Sequence, residues 1–487
     1  MRGAEAGGVR RWLGIPYARA ARFEAPGPAE PWAGERDASR FGAQSPQQIG
    51  PKVRMGGIVG RGFDEDCHRI NVWAPVREAS RARPVFVWFH GGAFLVGGTN
   101  LYDGAELADE GDMVVVTANY RLGALGFTNF GEALGETDVP TNLGLRDMIA
   151  ALEWVRDNIA TFGGDPARVT VSGQSAGSIS VAHLLQSERT KGLFRAALMQ
   201  SGATNLSHEL DFAVANGRDF AATLGLGKGD FCKLRAIPIE TLLRGQAAYS
   251  RTLRNAIPAA PWFDGDLLAA SLEEARRAPT HPVPLMAGTT TDEIRLFEFL
   301  LRNVLPTRRE DYAAAMRFQL GEERTERILA PYPRFKRGAR DLGSDLTFSM
   351  PTRHFAERHS ARAPTWYYQF AHRHPLLGAA HGLDLLMFWP FPGKLMAVAR
   401  GGTNAGPLGD LGRRMRADVA AFVRDLSPGE SWPTYDAARQ TVKLYGRQDR
   451  LTNAPDAARY EAWDGRDVIP GRTGPVDEHQ STSQPPR

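Results

Sequence analysis

The stretch Gly173-Gln174-Ser175-Ala176-Gly177 lies between an apolar run, Val169-Thr170-Val171, and a helix-patterned segment from Ile179 to Gln186. A glycine two positions either side of a serine, at a strand-to-helix junction, has a steric reason. The strand and helix backbones pass too close there to admit a side chain, and the sharp turn lifts the serine oxygen above the sheet edge. The feature therefore demands a β–turn–α unit with Ser175 at its apex, a candidate nucleophile. An ordinary tight β–α turn carrying a solvent-facing serine is the competing account.

The rest of the chain supplies the sheet that such a unit needs. Short apolar runs recur at Val85–Phe89, Val114–Thr117, Val169–Val171, Ala196–Met199, Pro284–Ala287 and Trp366–Phe370. Most are rich in β-branched or aromatic residues, as suits strands buried on both faces. Helical patterns fall between them, for example Leu145 to Ile159 and Phe212 to Leu224. Alternation of this kind predicts an α/β fold with a mostly parallel sheet covered by helices. At 487 residues, with no low-complexity linker and no internal repeat, the chain reads as one large domain over 1–464. A polar, proline-bearing and disordered tail is expected over 465–487.

Composition narrows the function. A net charge of +4 on so long a chain is small, and the arginines are interspersed with acids, so no nucleic-acid-binding stripe emerges. The two cysteines, Cys67 and Cys232, are too few for a disulfide-stapled secreted protein and favour a reducing compartment. Met1 to Gly8 lacks an apolar core of signal-peptide length, and no apolar run approaches the roughly 18 residues of a membrane span. A cytoplasmic protein is the expectation. No metal-ligand spacing of the HExxH kind occurs.

Acyl transfer by a serine needs a base, an acid to orient it, and donors for an oxyanion. The donors are expected from His90-Gly91-Gly92-Ala93-Phe94, directly after the Val85–Phe89 run. Its small residues let the Gly92 and Ala93 amides, together with that of Ala176, face a carbonyl oxygen. The acid should follow Ser175 at the end of a later strand, where Asp292 and Glu293 both qualify. Of eleven histidines, His372, His374 and His381 follow the Trp366–Phe370 run, where the base belongs. Local spacing does not choose among the three.

Taken with the segments Gly14-Ile15-Pro16-Tyr17-Ala18, Glu65-Asp66-Cys67, Asn119-Tyr120-Arg121-Leu122-Gly123, Asn142-Leu143-Gly144-Leu145, Phe162-Gly163-Gly164-Asp165-Pro166, Gln200-Ser201-Gly202, Asp264-Gly265 and Trp432-Pro433, the chain resembles the type-B carboxylesterase, or cholinesterase-like, family. The likeness is greatest to its bacterial para-nitrobenzyl-esterase-like branch and covers nearly everything up to the tail. The resemblance implies the α/β-hydrolase fold with that family's insertions. It places the acid on Glu293, the base on His381 in Ala380-His381-Gly382, and an acid-supporting hydroxyl on Ser201. It implies hydrolysis of small to medium carboxylic esters, with broad specificity, through a serine acyl-enzyme that needs no metal or organic cofactor. Carbamates, thioesters, lactones or amides are alternative substrates for the same chemistry, and a catalytically silent binding protein is a more distant one. Monomer and dimer both remain open.

Departures from the family pattern are specific. Gln174 stands where the family usually has glutamate, Ile294 where glycine usually follows the acid, and His68 where an apolar residue is usual. The family cysteine that would pair with Cys67 corresponds to Ser45, so no bridge is expected. Phe94, Leu296, Phe297, Phe348, Phe388 and Trp389 fall, with Gln174, on segments that line the substrate gorge in relatives.

Overall fold

The computed structural model describes residues 1–48, 62–253, 255–299, 304–375, 377–390 and 407–474. Among them an eleven-stranded sheet is formed by β1 (Ala4–Ala6), β2 (Val9–Pro16), β3 (Arg69–Pro75), β4 (Arg83–Phe89), β5 (Val114–Ala118), β6 (Gly164–Gln174), β7 (Ala196–Gln200), β8 (Leu285–Thr290), β9 (Thr365–Phe370), β10 (Thr441–Tyr445) and β11 (Arg450–Asn453). Their order across the sheet is β1-β2-β3-β5-β4-β6-β7-β8-β9-β10-β11. The block from β5 through β4 to β10 is parallel, while β1, β2, β3 and β11 pair antiparallel at the two edges.

The apolar runs form strands because each feeds two cores. In β4, Val85, Val87 and Phe89 enter one cluster while Phe86 and Trp88 enter another across the sheet. β7 and β8 divide their side chains in the same way, with Ala197, Met199, Leu285 and Ala287 on one face and Leu198 and Met286 on the other. With no solvated face, such strands read as continuous apolar runs. Helix α1 (Leu143–Asn158) lays Leu145, Met148, Leu152 and Val155 on the first face, at the three-to-four-residue spacing of a helical stripe. Helix α2 (Ala176–Gln186) runs buried from the serine turn. Helix α3 (Met350–Ser360) continues a π-helical turn, Asp345–Ser349, and α4 (Pro407–Asp425) covers the second face with Met415, Val419 and Phe422.

The expected α/β architecture is present, with two corrections. Residues 465–474 are not a free tail. Val468 is fully buried, Asp467 takes the ring of His354 (Nδ1 to Oδ1, 2.7 Å), and Gln319 brackets Ile469 through both its amide N and carbonyl O (2.8 and 2.9 Å). Two apolar side chains, Val468 and Ile469, and a pairing acid, in a stretch that otherwise reads as polar, are enough to seat it. Residues 475–487 of the expected tail lie outside the described residues. The second correction concerns Phe388 and Trp389, which pack on the sheet face bearing Phe86 and Trp88. The Trp389 ring lies 5.1 Å from Trp88 and 5.3 Å from Tyr102. They are core, because an apolar surface this large is best removed from water against other aromatic rings. Cys67 is a free, buried thiol, pushed by burial up to about 12, with Ser45 beside it.

Candidate active site

Four neighbouring strands end at one place. β6 runs straight into Ser175, whose backbone (φ 55°, ψ −122°) occupies a sparsely populated region that costs about 1–3 kcal/mol. The flanking glycines are required sterically. A Cβ on Gly173 would lie 2.5 Å from the Gly177 carbonyl, and one on Gly177 would lie 2.1 Å from the Phe89 oxygen. Next door, β7 ends in the same fashion. Gln174 and Gln200 are paired in register, and Ser201 follows with φ 55°. The Ser175 amide donates to the Gln200 carbonyl (2.8 Å) and the Ser201 amide to that of Gly288 on β8 (2.8 Å).

β8 leads to Glu293, which is wholly buried. Its Oε1 accepts from the Ser201 hydroxyl and from the Thr290 amide, both at 2.6 Å, and its Oε2 lies 2.6 Å from Nδ1 of His381. The loop after β9 brings in His381, so Ser175, Ser201, Glu293 and His381 converge. His372 and His374 stay outside this cluster: His372 is half-buried beside Phe370, and His374 closes a backbone bridge with Gly378. Asp292 points elsewhere and ties the two loops together. Its amide donates to the Ala379 carbonyl (2.9 Å), and it forms a backbone bridge with Ala380.

The segment after β4 closes the site from the other side. Gly92 (φ 124°), Ala93 (φ 54°) and Phe94 (φ 60°) all hold positive φ, and a Cβ on Gly92 would meet the Val96 oxygen at 1.8 Å. A Cβ on Gly91 would lie 2.8 Å from the Gln174 side-chain oxygen and 3.0 Å from the Ser175 Cβ, so the segment lies directly against the serine. Phe94 packs on Phe127 (4.6 Å) and its carbonyl accepts from Gly123, which fixes the loop to the body of the protein.

Aromatic rings wall the imidazole. Phe348, carried on the π-helical turn, lies 4.4 Å from the His381 ring and Phe297 lies 5.3 Å away, while the half-buried Leu296 packs against the same core. A buried acid that the sequence reading did not single out, Asp384, accepts from Gln200 Nε2 and the Tyr368 hydroxyl (both 3.2 Å). Burial, then repulsion from Glu293, pushes its carboxyl up to about 6, with His381 pulling it partly back. Gln174, expected to line the pocket and to bring no negative charge beside the serine and the histidine, sets its Nε2 3.1 Å from Nε2 of His381. No hydrogen bond joins that nitrogen to the Ser175 hydroxyl. No group of three or more His, Cys, Asp or Glu side chains able to hold a metal occurs among the described residues.

A hydroxyl on a strained turn, an imidazole held by a buried carboxylate, and a glycine segment lying against the serine are parts that acyl transfer can use. A family model described as the carboxylesterase family matches residues 1–463. The chain belongs to that family. The para-nitrobenzyl esterase of Bacillus subtilis (strain 168) is 33% identical over 94% of this chain and 96% of its own length. The cocaine esterase of Oryctolagus cuniculus is 31% identical over 98% and 94%. A solved PNB esterase structure superposes with a TM-score of 0.83 at 32% identity, covering 94% of this carboxylesterase and 96% of that chain. A Geobacillus stearothermophilus carboxylesterase gives 0.78 at 30% identity, covering 95% and 98%. The α/β-hydrolase fold follows, and the carboxylesterase is an ester hydrolase. No helix among its described residues is long and apolar enough to cross a membrane.

Proposed function

We propose that this carboxylesterase hydrolyses small to medium, largely uncharged carboxylic esters through an acyl-enzyme on Ser175, with His381 as base, Glu293 as its orienting acid and Ser201 supporting that acid. The observation that supports this most directly is the chain of contacts from Ser201 through Glu293 to His381, each at 2.6 Å, ending beside the Ser175 turn. His381 takes the hydroxyl proton as the Ser175 oxygen attacks the ester carbon. Glu293 holds the Nδ1–H tautomer and stabilises the imidazolium. The carbonyl oxygen becomes an oxyanion within reach of the Gly92, Ala93 and Ala176 amides, each such donor being worth about a hundred- to a thousandfold in rate. The imidazolium then gives its proton to the leaving alkoxide, and water clears the acyl group by the reverse sequence. Neutral substrates are favoured because Gln174 brings no charge to the site, and Phe297 and Phe348 offer an apolar wall to an acyl or aryl group.

The test is turnover of a chain-length series of p-nitrophenyl esters by the parent and by Ser175→Ala. Activity should vanish in the variant, and equal turnover would end the nucleophile assignment. Replacing His381, His372 and His374 singly should abolish turnover only at His381.

A further inference from the structure

An sp² ring nitrogen has one lone pair in the ring plane and accepts one good hydrogen bond. In His381 that lone pair is on Nε2, because Nδ1 faces the Glu293 carboxylate and gives its proton there. The atom that occupies Nε2 is the Gln174 amide nitrogen, at 3.1 Å. The amide orientation is set by this chemistry, since the NH₂ end must face an acceptor. The side chain is also confined in space. The Gln174 side chain lies between Gly91, where a Cβ would fall 2.8 Å from its oxygen, and Gly382, where a Cβ would fall 3.6 Å from its nitrogen. Both neighbours are glycines, and the slot between them takes a flat amide.

We infer that Gln174 is a positioning residue that caps the base in the resting enzyme: it holds the neutral, Nδ1-protonated imidazole by donating to Nε2, and it must let go before the Ser175 hydroxyl can use the same lone pair. This rests on the assignment of Ser175 and His381 proposed above and goes beyond it. The two donors compete for one acceptor, so the serine becomes fully reactive only when thermal motion displaces the amide within the enzyme–substrate complex. A glutamate in the same slot could not cap a neutral imidazole while ionised. It would favour the imidazolium instead. The remaining charged or titratable groups around the ring, among the described residues, are Glu293 at Nδ1, Asp384 on the same turn and, through Asp384, the Tyr368 hydroxyl. The facing side chains from the other packed elements are Phe297 and Phe348, which do not titrate.

The experiment compares the parent, Gln174→Met (similar length, no donor) and Gln174→Glu (same shape, acceptor only), using p-nitrophenyl acetate from pH 5 to 9. The acid limb of kcat/KM should move up by about 0.4–1 pH unit in the methionine variant and further in the glutamate variant. On the plateau, kcat should rise about two- to tenfold in the methionine variant with KM little changed. Labelling of Ser175 by a small neutral fluorophosphonate should speed up by a similar factor. An acid limb that does not move in either variant, or a change confined to KM, overturns the inference and reduces Gln174 to a pocket wall. Ser175→Ala run alongside separates the two failures: an inactive alanine variant with unmoved limbs rejects the cap alone, whereas an active one rejects the triad. Gln174→Glu, isosteric with the parent, keeps the test open should the methionine variant fold poorly.

Discussion

Ser201→Ala offers a sharp test of how the acid is held. The substitution removes one oxygen, creates almost no cavity, and keeps a residue that tolerates the φ of 55° about as well as serine does. What it deletes is one of two donors on Glu293 Oε1, leaving the Thr290 amide on that oxygen and His381 on the other, each at 2.6 Å. A hydrogen bond to a charged group is worth about 1.5–3 kcal/mol. Because the Thr290 amide remains to restrain the carboxylate, the lower part of that range should apply, giving about a 10- to 30-fold loss of kcat/KM. Glu293→Gln is the comparison: an amide cannot hold the Nδ1–H tautomer as a carboxylate does, and in a comparable triad the equivalent loss is about ten-thousandfold. The assay is kcat/KM for p-nitrophenyl acetate in a double-mutant cycle. In the Glu293→Gln background, Ser201→Ala should cost less than about threefold, since its effect runs through the carboxylate. Additive losses, or a single variant within twofold of the parent, would refute the reasoning.

Asp384→Asn should reveal the burden of a buried acid. The unfolded carboxyl titrates near 4 and the folded one, pushed up by burial, near 6. The native state therefore binds the extra proton between those values, and stability falls as pH rises through that window, by roughly 3 kcal/mol at most. The Tm advantage of the asparagine variant should grow from pH 4 to pH 6 and then level off; a difference independent of pH would count against this. Gly177→Ala drives a Cβ to 2.1 Å from the Phe89 carbonyl oxygen, a backbone atom that cannot step aside. Soluble yield and Tm should collapse together with activity, and a stable, active variant would show that the elbow is looser than described.

Much of the fold and of the site was legible in the sequence, for a reason visible in β4, β6, β7, β8 and β9. Strands buried on both faces are written as unbroken apolar runs, and the catalytic candidates sit at their ends. The edge strands were not legible in that way. β2 mixes Arg10 and Arg11 with apolar residues, and β11 is largely exposed, so neither carries an apolar run. Choosing Glu293 over Asp292, and His381 over its neighbours, required family resemblance. Adjacent residues of similar chemistry differ only in which way the backbone turns them, and that is settled by tertiary contacts such as the tie from Asp292 to the loop at Ala379. Asp384 gave no local signal either, being one acid in a short loop whose burial depends on Gln200 and Tyr368, far away in the chain. Phe388 and Trp389 failed as pocket residues because an aromatic pair after a histidine reads the same whether it faces a cleft or the back of a sheet. Val468 and Asp467 were lost in a segment judged by its average polarity.

The matched endings of β6 and β7 make the spacing of this site a property of the sheet. Ser175 and Ser201 directly follow two neighbouring strands, β6 and β7, whose last residues Gln174 and Gln200 are in register, so their lateral separation is set by strand spacing, about 4.8 Å. Sheet register moves in whole residues, and a slip that keeps the same side chains facing the same core must be two residues, about 6.6 Å. No small displacement of a strand can therefore detune the placement of Ser175 against Ser201. Damage to the sheet should divide a population into fully competent molecules and dead ones, with the lost activity appearing as a smaller number of active sites at unchanged turnover per site.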